Sequence, residues 1–291
     1  MSRARLLVPV AAACLVALGV TVAVASRAPA SQPAVLEQSF YSRAVDGALR
    51  FGVWLPRGYA DHPRRRYPVL YLLHGLPAGE YSYRSLYFLV PTLERMNAQA
   101  IVVFPQGARP GDSDDEYRNL GSGRLWSTAL TRELPAVVSS RFRTLGTRAG
   151  RGIVGVSAGG YGALILGLHH LGRYRVIESW SGYFHATTPD GSAPMEFTRP
   201  AAAVAADAHR VLPSVAATLR RRPTLLAFYT GSDDPYPGFT AENRQFSREL
   251  AEAGVRHRFA VYPGGHDTAL WATHARAWLG MALHALASVA E

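Results

Sequence analysis

The sequence contains no lysine: all 31 basic residues are arginine, against 21 Asp and Glu, for a net charge of +10. The complete absence of one cation from a basic chain reads as coding bias rather than as a binding device. Cysteine is almost as scarce. Cys14, the only one, lies inside an apolar run and lacks the residues expected ahead of a lipidation cysteine, so neither a disulfide nor a lipid anchor is expected. No basic stripe interleaved with aromatics occurs, which argues against nucleic acid as a partner. Also missing are a zinc-type histidine pair and an Asp-x-Asp-x-Asp-Gly spacing, so no metal is expected, and Asp114-Asp115-Glu116 reads as a solvated loop.

What is present is a chain of 291 residues with 48% hydrophobic content, enough for one large α/β domain over residues 37–291. Ahead of it, Met1 to Arg5 is basic, Leu6 to Ala25 is continuously apolar, and Ala23-Val24-Ala25 offers a small-x-small cleavage site. Residues 1–25 therefore read as a secretory signal peptide or, uncleaved, as a membrane anchor, with a Pro, Ala and Ser linker over residues 26–36. Either way the domain faces outside, and the net charge falls by two if Arg3 and Arg5 are removed. The triplets Arg64-Arg65-Arg66 and Arg220-Arg221-Arg222 each precede an apolar run and read as solvated loops. A basic surface of this kind favours anionic envelope polymers or lipid head groups.

Along the chain, Glu37 to Arg43 and Leu49 to Leu55 alternate apolar and polar residues around Asp46-Gly47, which predicts a β-hairpin. Buried strands are expected over Pro68–Leu73, Ala100–Phe104, Gly152–Val156, Arg175–Trp180, Thr224–Tyr229 and Arg256–Tyr262. Helices are expected over Leu89–Asn97, Ser127–Arg141, the stretch after Ser157, Glu242–Ala253 and Leu270–Ala287. About 40 residues after Trp180 have no strand character. This alternation predicts a doubly wound, mostly parallel sheet with an N-terminal antiparallel hairpin.

In such a sheet ligands bind beyond the carboxyl ends of the strands, and three groups stand there. Gly155-Val156-Ser157-Ala158-Gly159 is a G-x-S-x-G pattern between a buried strand and a helix, the context in which a sharp turn exposes a nucleophilic serine. Gly231-Ser232-Asp233-Asp234 and Gly264-Gly265-His266 follow the last two strands. A serine hydroxyl is a poor nucleophile until an imidazole takes its proton, and the imidazole needs a carboxylate to orient it. Ser157 is thus the candidate nucleophile and His266 the base, with Asp234 favoured over Asp233 as the acid. Two backbone amides, Ala158 N–H and Leu76 N–H after the Pro68–Leu73 strand, are the candidate oxyanion donors. His74 is read as packing under that loop, while His169, His170, His274 and His284 are read as surface or packing residues. Trp126, Trp180 and Trp271 are candidates for a substrate cleft, with core packing as the alternative.

At these residues the chain resembles the esterase family that includes formylglutathione hydrolase, feruloyl esterases, enterochelin esterase and the secreted mycolyltransferases. The matching pieces are Tyr67 to Gly75, Gly155 to Gly162, Gly231 to Asp234 and Gly265-His266. The resemblance implies an α/β-hydrolase fold, no cofactor, a triad of Ser157, Asp234 and His266, and oxyanion donors Leu76 and Ala158. His-Gly-Leu-Pro-Ala, with the exported location, is closest to the mycolyltransferase branch. That branch commonly uses Glu as triad acid and often carries paired cysteines, and this chain has neither. The expected function is a secreted serine esterase acting through an acyl-enzyme on a small-molecule, lipid or glycan ester, as a monomer. An envelope acyltransferase with the same chemistry, and an inactive exported domain that binds glycans or lipids, are the alternatives.

Overall fold

The computed structural model describes residues 35–109, 117–189 and 191–286. The apolar run Leu6–Ala25, Cys14 and Asp114-Asp115-Glu116 lie outside them. Strands β1 (Leu36–Ser42) and β2 (Gly47–Trp54) form the expected hairpin, in register from Leu36 opposite Val53 to Ser42 opposite Gly47. Its reversal is carried by residues 43–46, with Asp46 in the left-handed region at φ 48°. Strands β3 (Val69–Leu73), β4 (Ile101–Pro105), β5 (Arg151–Val156), β6 (Val176–Trp180), β7 (Leu225–Gly231) and β8 (Arg258–Tyr262) complete one sheet of eight. The order is β1-β2-β4-β3-β5-β6-β7-β8. β2 meets β4 antiparallel, and every later pairing is parallel.

Because side chains alternate across a strand, the central strands must be apolar on both faces. Val69, Tyr71 and Leu73 of β3 enter one core layer, and Leu70 and Leu72 enter the other. The first layer packs against α4 (Ala158–His169), α6 (Ala208–Arg221) and α7 (Phe239–Glu252), the second against α1 (Val90–Arg95) and α8 (Thr268–Ala285). Helix α4 is buried at every position from Ala158 to Leu168. It is therefore the central helix, with its first residue directly behind Ser157.

One expectation is corrected and two are sharpened. The helix read roughly over Ser127–Arg141 runs unbroken from Trp126 as α2 (Trp126–Thr128), a π turn at Ala129–Glu133, and α3 (Leu134–Arg141). Pro135 has no N–H for the carbonyl one turn back, and the backbone widens there. The stretch without strand character holds two helices, α5 (Pro200–Ala205) and α6, the latter N-capped by Asp207, whose carboxylate accepts from Arg210 N–H. Ala208, Val211, Leu212, Ala216 and Leu219 make its buried stripe, a helical spacing hidden by so many alanines. Finally, Arg220 and Arg221 sit in the last turn of α6 rather than in a loop, where cations offset the helix dipole.

One buried group is at odds with its surroundings. Glu178 on β6 is fully enclosed; Trp180 Nε1–H donates to its Oε2 at 3.1 Å, and its Oε1 has no partner. Burial raises its pKa to about 8, so the folded chain holds this carboxyl protonated at neutral pH. From about pH 5 to 8 the folded state binds one more proton than the unfolded state, so stability falls as pH rises, by about 1.4 kcal/mol per pH unit from this residue. Glu178→Gln is expected to flatten the pH dependence of urea unfolding over that window. Parallel profiles for variant and parent would mean that the carboxyl is already ionised in the core.

Candidate active site

The site grows from the β5–α4 junction. Ser157 stands there at φ 55°, ψ −125°, a conformation that disfavours any residue with a side chain. Two hydrogen bonds hold it: Ser157 N–H donates to Trp180 O at the end of β6 at 2.8 Å, and Tyr161 N–H donates to Ser157 O at 3.1 Å. Glycine is required on both sides. A Cβ on Gly155 would lie 2.0 Å from Gly159 O, and one on Gly159 would lie 2.1 Å from Leu73 O. The motif thus allows helix α4 to pass close to β5 and to the end of β3.

The other two groups arrive from the neighbouring strand ends. His266 follows β8, and its Nε2 lies 2.8 Å from Ser157 Oγ across 109 residues of sequence. Its Nδ1 lies 2.8 Å from Asp234 Oδ2 in the loop after β7. Asp234 Oδ1 accepts from Tyr236 N–H at 3.1 Å, so both carboxylate oxygens are engaged, and the side chain is shielded from solvent. Asp233 does different work. Its Oδ2 accepts from Gly264 N–H at 3.3 Å and its own N–H donates to Gly264 O at 2.9 Å, tying the Asp loop to the His loop. Of the two adjacent carboxylates, Asp234 is the one that meets Nδ1.

The imidazole is packed on three sides by aromatic edges. Tyr236, Phe239 and Trp271 stand nearly perpendicular to it at centroid distances of 4.9, 5.6 and 5.4 Å. Trp271 is itself anchored, its Nε1–H donating to Ser181 Oγ at 3.1 Å. Of the three tryptophans considered for a cleft, Trp271 alone flanks the site. Trp126 and Trp180 are fully buried in the two core layers, because Trp180 ends a central strand and Trp126 faces inward from α2.

His74 is enclosed at the end of β3 and burial pushes its pKa down to about 4, so its ring is neutral. Gly107 N–H donates to Nε2 at 3.1 Å, which leaves Nδ1–H to donate to Gly75 O at 2.8 Å. Tyr117 O–H donates to the His74 carbonyl. The ring therefore braces the loop that presents Leu76, in keeping with a packing role. That loop lies against the nucleophile: a Cβ on Gly75 would be 3.0 Å from Ser157 Cβ. Ala158 is the first residue of α4, where backbone N–H groups have no partner within the helix.

The arrangement can activate a hydroxyl and stabilise an oxyanion beside it. A model of the "Putative esterase" family matches residues 42–276. The chain belongs to this family. Esterase Rv1288 of Mycobacterium tuberculosis is 27% identical over 262 residues, covering 81% of this chain and 56% of that one. The chain thus spans little more than half the length of this curated relative. Among solved structures, a ferulic acid esterase superposes with TM-score 0.73 at 21% identity, covering 87% of this chain and 98% of that one. An S-formylglutathione hydrolase of Staphylococcus aureus does so with TM-score 0.70 at 20% identity, covering 86% and 98%. The fold is that of the α/β-hydrolases.

Sequence reasoning missed two features of the family member's site region. Tyr236 and Phe239 carry no motif; only their closeness to Asp234 in sequence hints at a role. His185, His209 and Glu242 meet on the same side of the sheet although no regular spacing links them. Asp234→Asn is expected to lower kcat for a nitrophenyl ester about 10⁴-fold, by the wrong-tautomer effect on the base. Asp233→Asn should cost far less, and the opposite ranking in steady-state assays would make Asp233 the acid.

Proposed function

We propose that this protein is a serine esterase, exported from the cell, that hydrolyses carboxylic esters through an acyl-enzyme on Ser157. The observation that carries the reading is the continuous hydrogen-bonded line Ser157 Oγ–His266–Asp234, with both contacts at 2.8 Å. As Oγ attacks the ester carbonyl, His266 Nε2 takes its proton, while Asp234 holds Nδ1–H and offsets the imidazolium charge. The carbonyl oxygen becomes an oxyanion facing Ala158 N–H and Leu76 N–H, each such donor typically worth about 3 kcal/mol of barrier. Collapse expels the alkoxide, which takes the proton from Nε2. Water then repeats the sequence against the acyl-enzyme, with His266 again as base.

Family membership supports hydrolysis, as do the names of the relatives, esterase and S-formylglutathione hydrolase. The basic start and apolar run over Leu6–Ala25 support export, and among the described residues no helix is long and apolar enough to cross a membrane. A cavity of about 420 Å³ lies between α4 and residues 197–206, where Ile165, Leu166, Phe197 and Ala202 meet Arg118 and Arg199. Its α4 wall begins about 12 Å along the helix from Ser157, and none of Ser157, Asp234 and His266 lines it.

Ser157→Ala is expected to abolish turnover of a short-chain nitrophenyl ester and labelling by a fluorophosphonate, with an unchanged circular dichroism spectrum. Turnover retained by that variant refutes the assignment. With a sugar offered as acceptor, mass spectrometry should find the free acid as the main product. A predominance of acylated sugar would replace hydrolysis with acyl transfer.

A further inference from the structure

A second constellation lies behind the catalytic histidine, on the far side of Phe239. Just after β6, the ring of His185 stacks on that of His209 in the first turn of α6, with centroids 4.3 Å apart and planes 21° apart. Both rings turn Nε2 toward Glu242, in the first turn of α7: each Nε2 lies 3.6 Å from Glu242 Oε1. One ligand atom from each of the three residues falls within 4.8 Å of the others.

An imidazole binds a metal in its own ring plane, so these near-parallel rings accept a common ion only when the half-exposed ring of His185 turns out of the stack. His209 has only 9% of its side chain exposed, and its Nε2 is inaccessible with no hydrogen-bond partner. A buried polar atom left in this way costs about 1–3 kcal/mol, and 3.6 Å is too long for a hydrogen bond to relieve it. It is close to the spacing of two ligands on one metal, since bonds of about 2.0–2.1 Å at tetrahedral angles put ligand atoms about 3.3–3.4 Å apart. The outer contacts follow the same logic. Metal-bound histidines commonly give their second nitrogen to a carboxylate, which fixes the ring and raises its basicity. Here His209 Nδ1 lies 2.7 Å from Glu249 Oε2, and His185 Nδ1 lies 3.4 Å from Asp207 Oδ2. Glu242 Oε1 accepts from Phe184 N–H at 2.9 Å and from His185 N–H at 2.6 Å, which fixes the carboxylate and leaves its other oxygen for the ion.

We propose that His185, His209 and Glu242 form a binding site for a divalent transition metal, with zinc favoured by the donor set. Two imidazoles and one carboxylate suit zinc and its neighbours, whereas calcium and magnesium prefer oxygen ligands throughout. This reverses the expectation of a metal-free chain that the absence of a spaced histidine pair suggests. The side chain of His185 is 44% exposed and borders a cavity of about 260 Å³, so the ion has an entry path and room for a water as fourth ligand. The bound ion is structural. Its ligands come from the connection after β6, from α6 and from α7, so it ties together three segments distant in sequence. Helix α7 begins at Phe239, which packs on His266, and the ion thereby steadies the wall behind the catalytic base.

The test uses the full chain, stripped with a chelator, desalted and titrated with zinc chloride. One equivalent of zinc should survive gel filtration by elemental analysis, and the melting temperature should rise by several degrees at saturation. Cobalt in place of zinc should give the visible absorption of a tetrahedral site. His185→Ala removes a half-exposed side chain, and Glu242→Gln keeps an oxygen for the two backbone donors, so both variants should fold. Each should weaken zinc binding more than tenfold. Folded parent protein that retains no zinc overturns the proposal, as does retention that is the same in both variants. So does an apo protein stabilised by mild acid with no zinc uptake, which would identify a protonated His209 held between Glu242 and Glu249 instead.

Discussion

The backbone of Ser157 is the constraint on which the molecule turns. At φ 55° and ψ −125° it occupies a region that costs about 1–3 kcal/mol for a residue with a side chain. The conformation persists because its surroundings over-determine it. Its N–H is held by the end of β6, its carbonyl is held by Tyr161, and the helix behind it is pressed against β3 and β5 through two glycines. Release of the strain would require parting three adjacent strands from the central helix. What the strain provides is a hydroxyl projected beyond the sheet, next to the amides that open α4 and the β3 loop.

The rest of the site is arranged to bring a base to that hydroxyl and keep it there. A parallel sheet places the ends of β3, β5, β7 and β8 along one edge, so loops from distant parts of the chain become neighbours. Asp233 ties the two loops through Gly264, which leaves Asp234 free to meet the imidazole. Tyr236, Phe239 and Trp271 pack around the ring with their planes nearly perpendicular to it. The adjacent carboxylates thus have different partners, one the Gly264 backbone and the other the imidazole, because they point differently in an irregular loop. The neutral ring of His74 plays a matching structural part under the loop after β3.

Behind this layer, the buried polar atoms without a partner among the described residues include Glu178 Oε1 and His209 Nε2. Glu178 sits protonated between β5 and β7, and His209 points an unpartnered nitrogen at Glu242. The first is accommodated by taking up a proton. The second is the group that the proposed cation would relieve, and Glu242 on α7, the helix that begins at Phe239, would link that cation to the wall behind the imidazole.

Much of the architecture was legible because it is local. Two-faced apolar strands such as Val69–Leu73 announce a parallel sheet, glycines two positions either side of Ser157 announce a pinched turn, and the alternation from Glu37 announces a hairpin. Alanine-rich α6 was illegible, since alanine marks neither face of a helix strongly, and the π turn before Leu134 depends on how Pro135 is accommodated. Which of Asp233 and Asp234 meets the imidazole, the burial of Trp126 and Trp180, and the meeting of His185 with His209 depend on tertiary structure alone. The physical reason is that pattern along a chain specifies which faces must be buried and where it must turn. It does not specify the direction in which a loop carboxylate points, or which side chains from separate helices come to share one small volume.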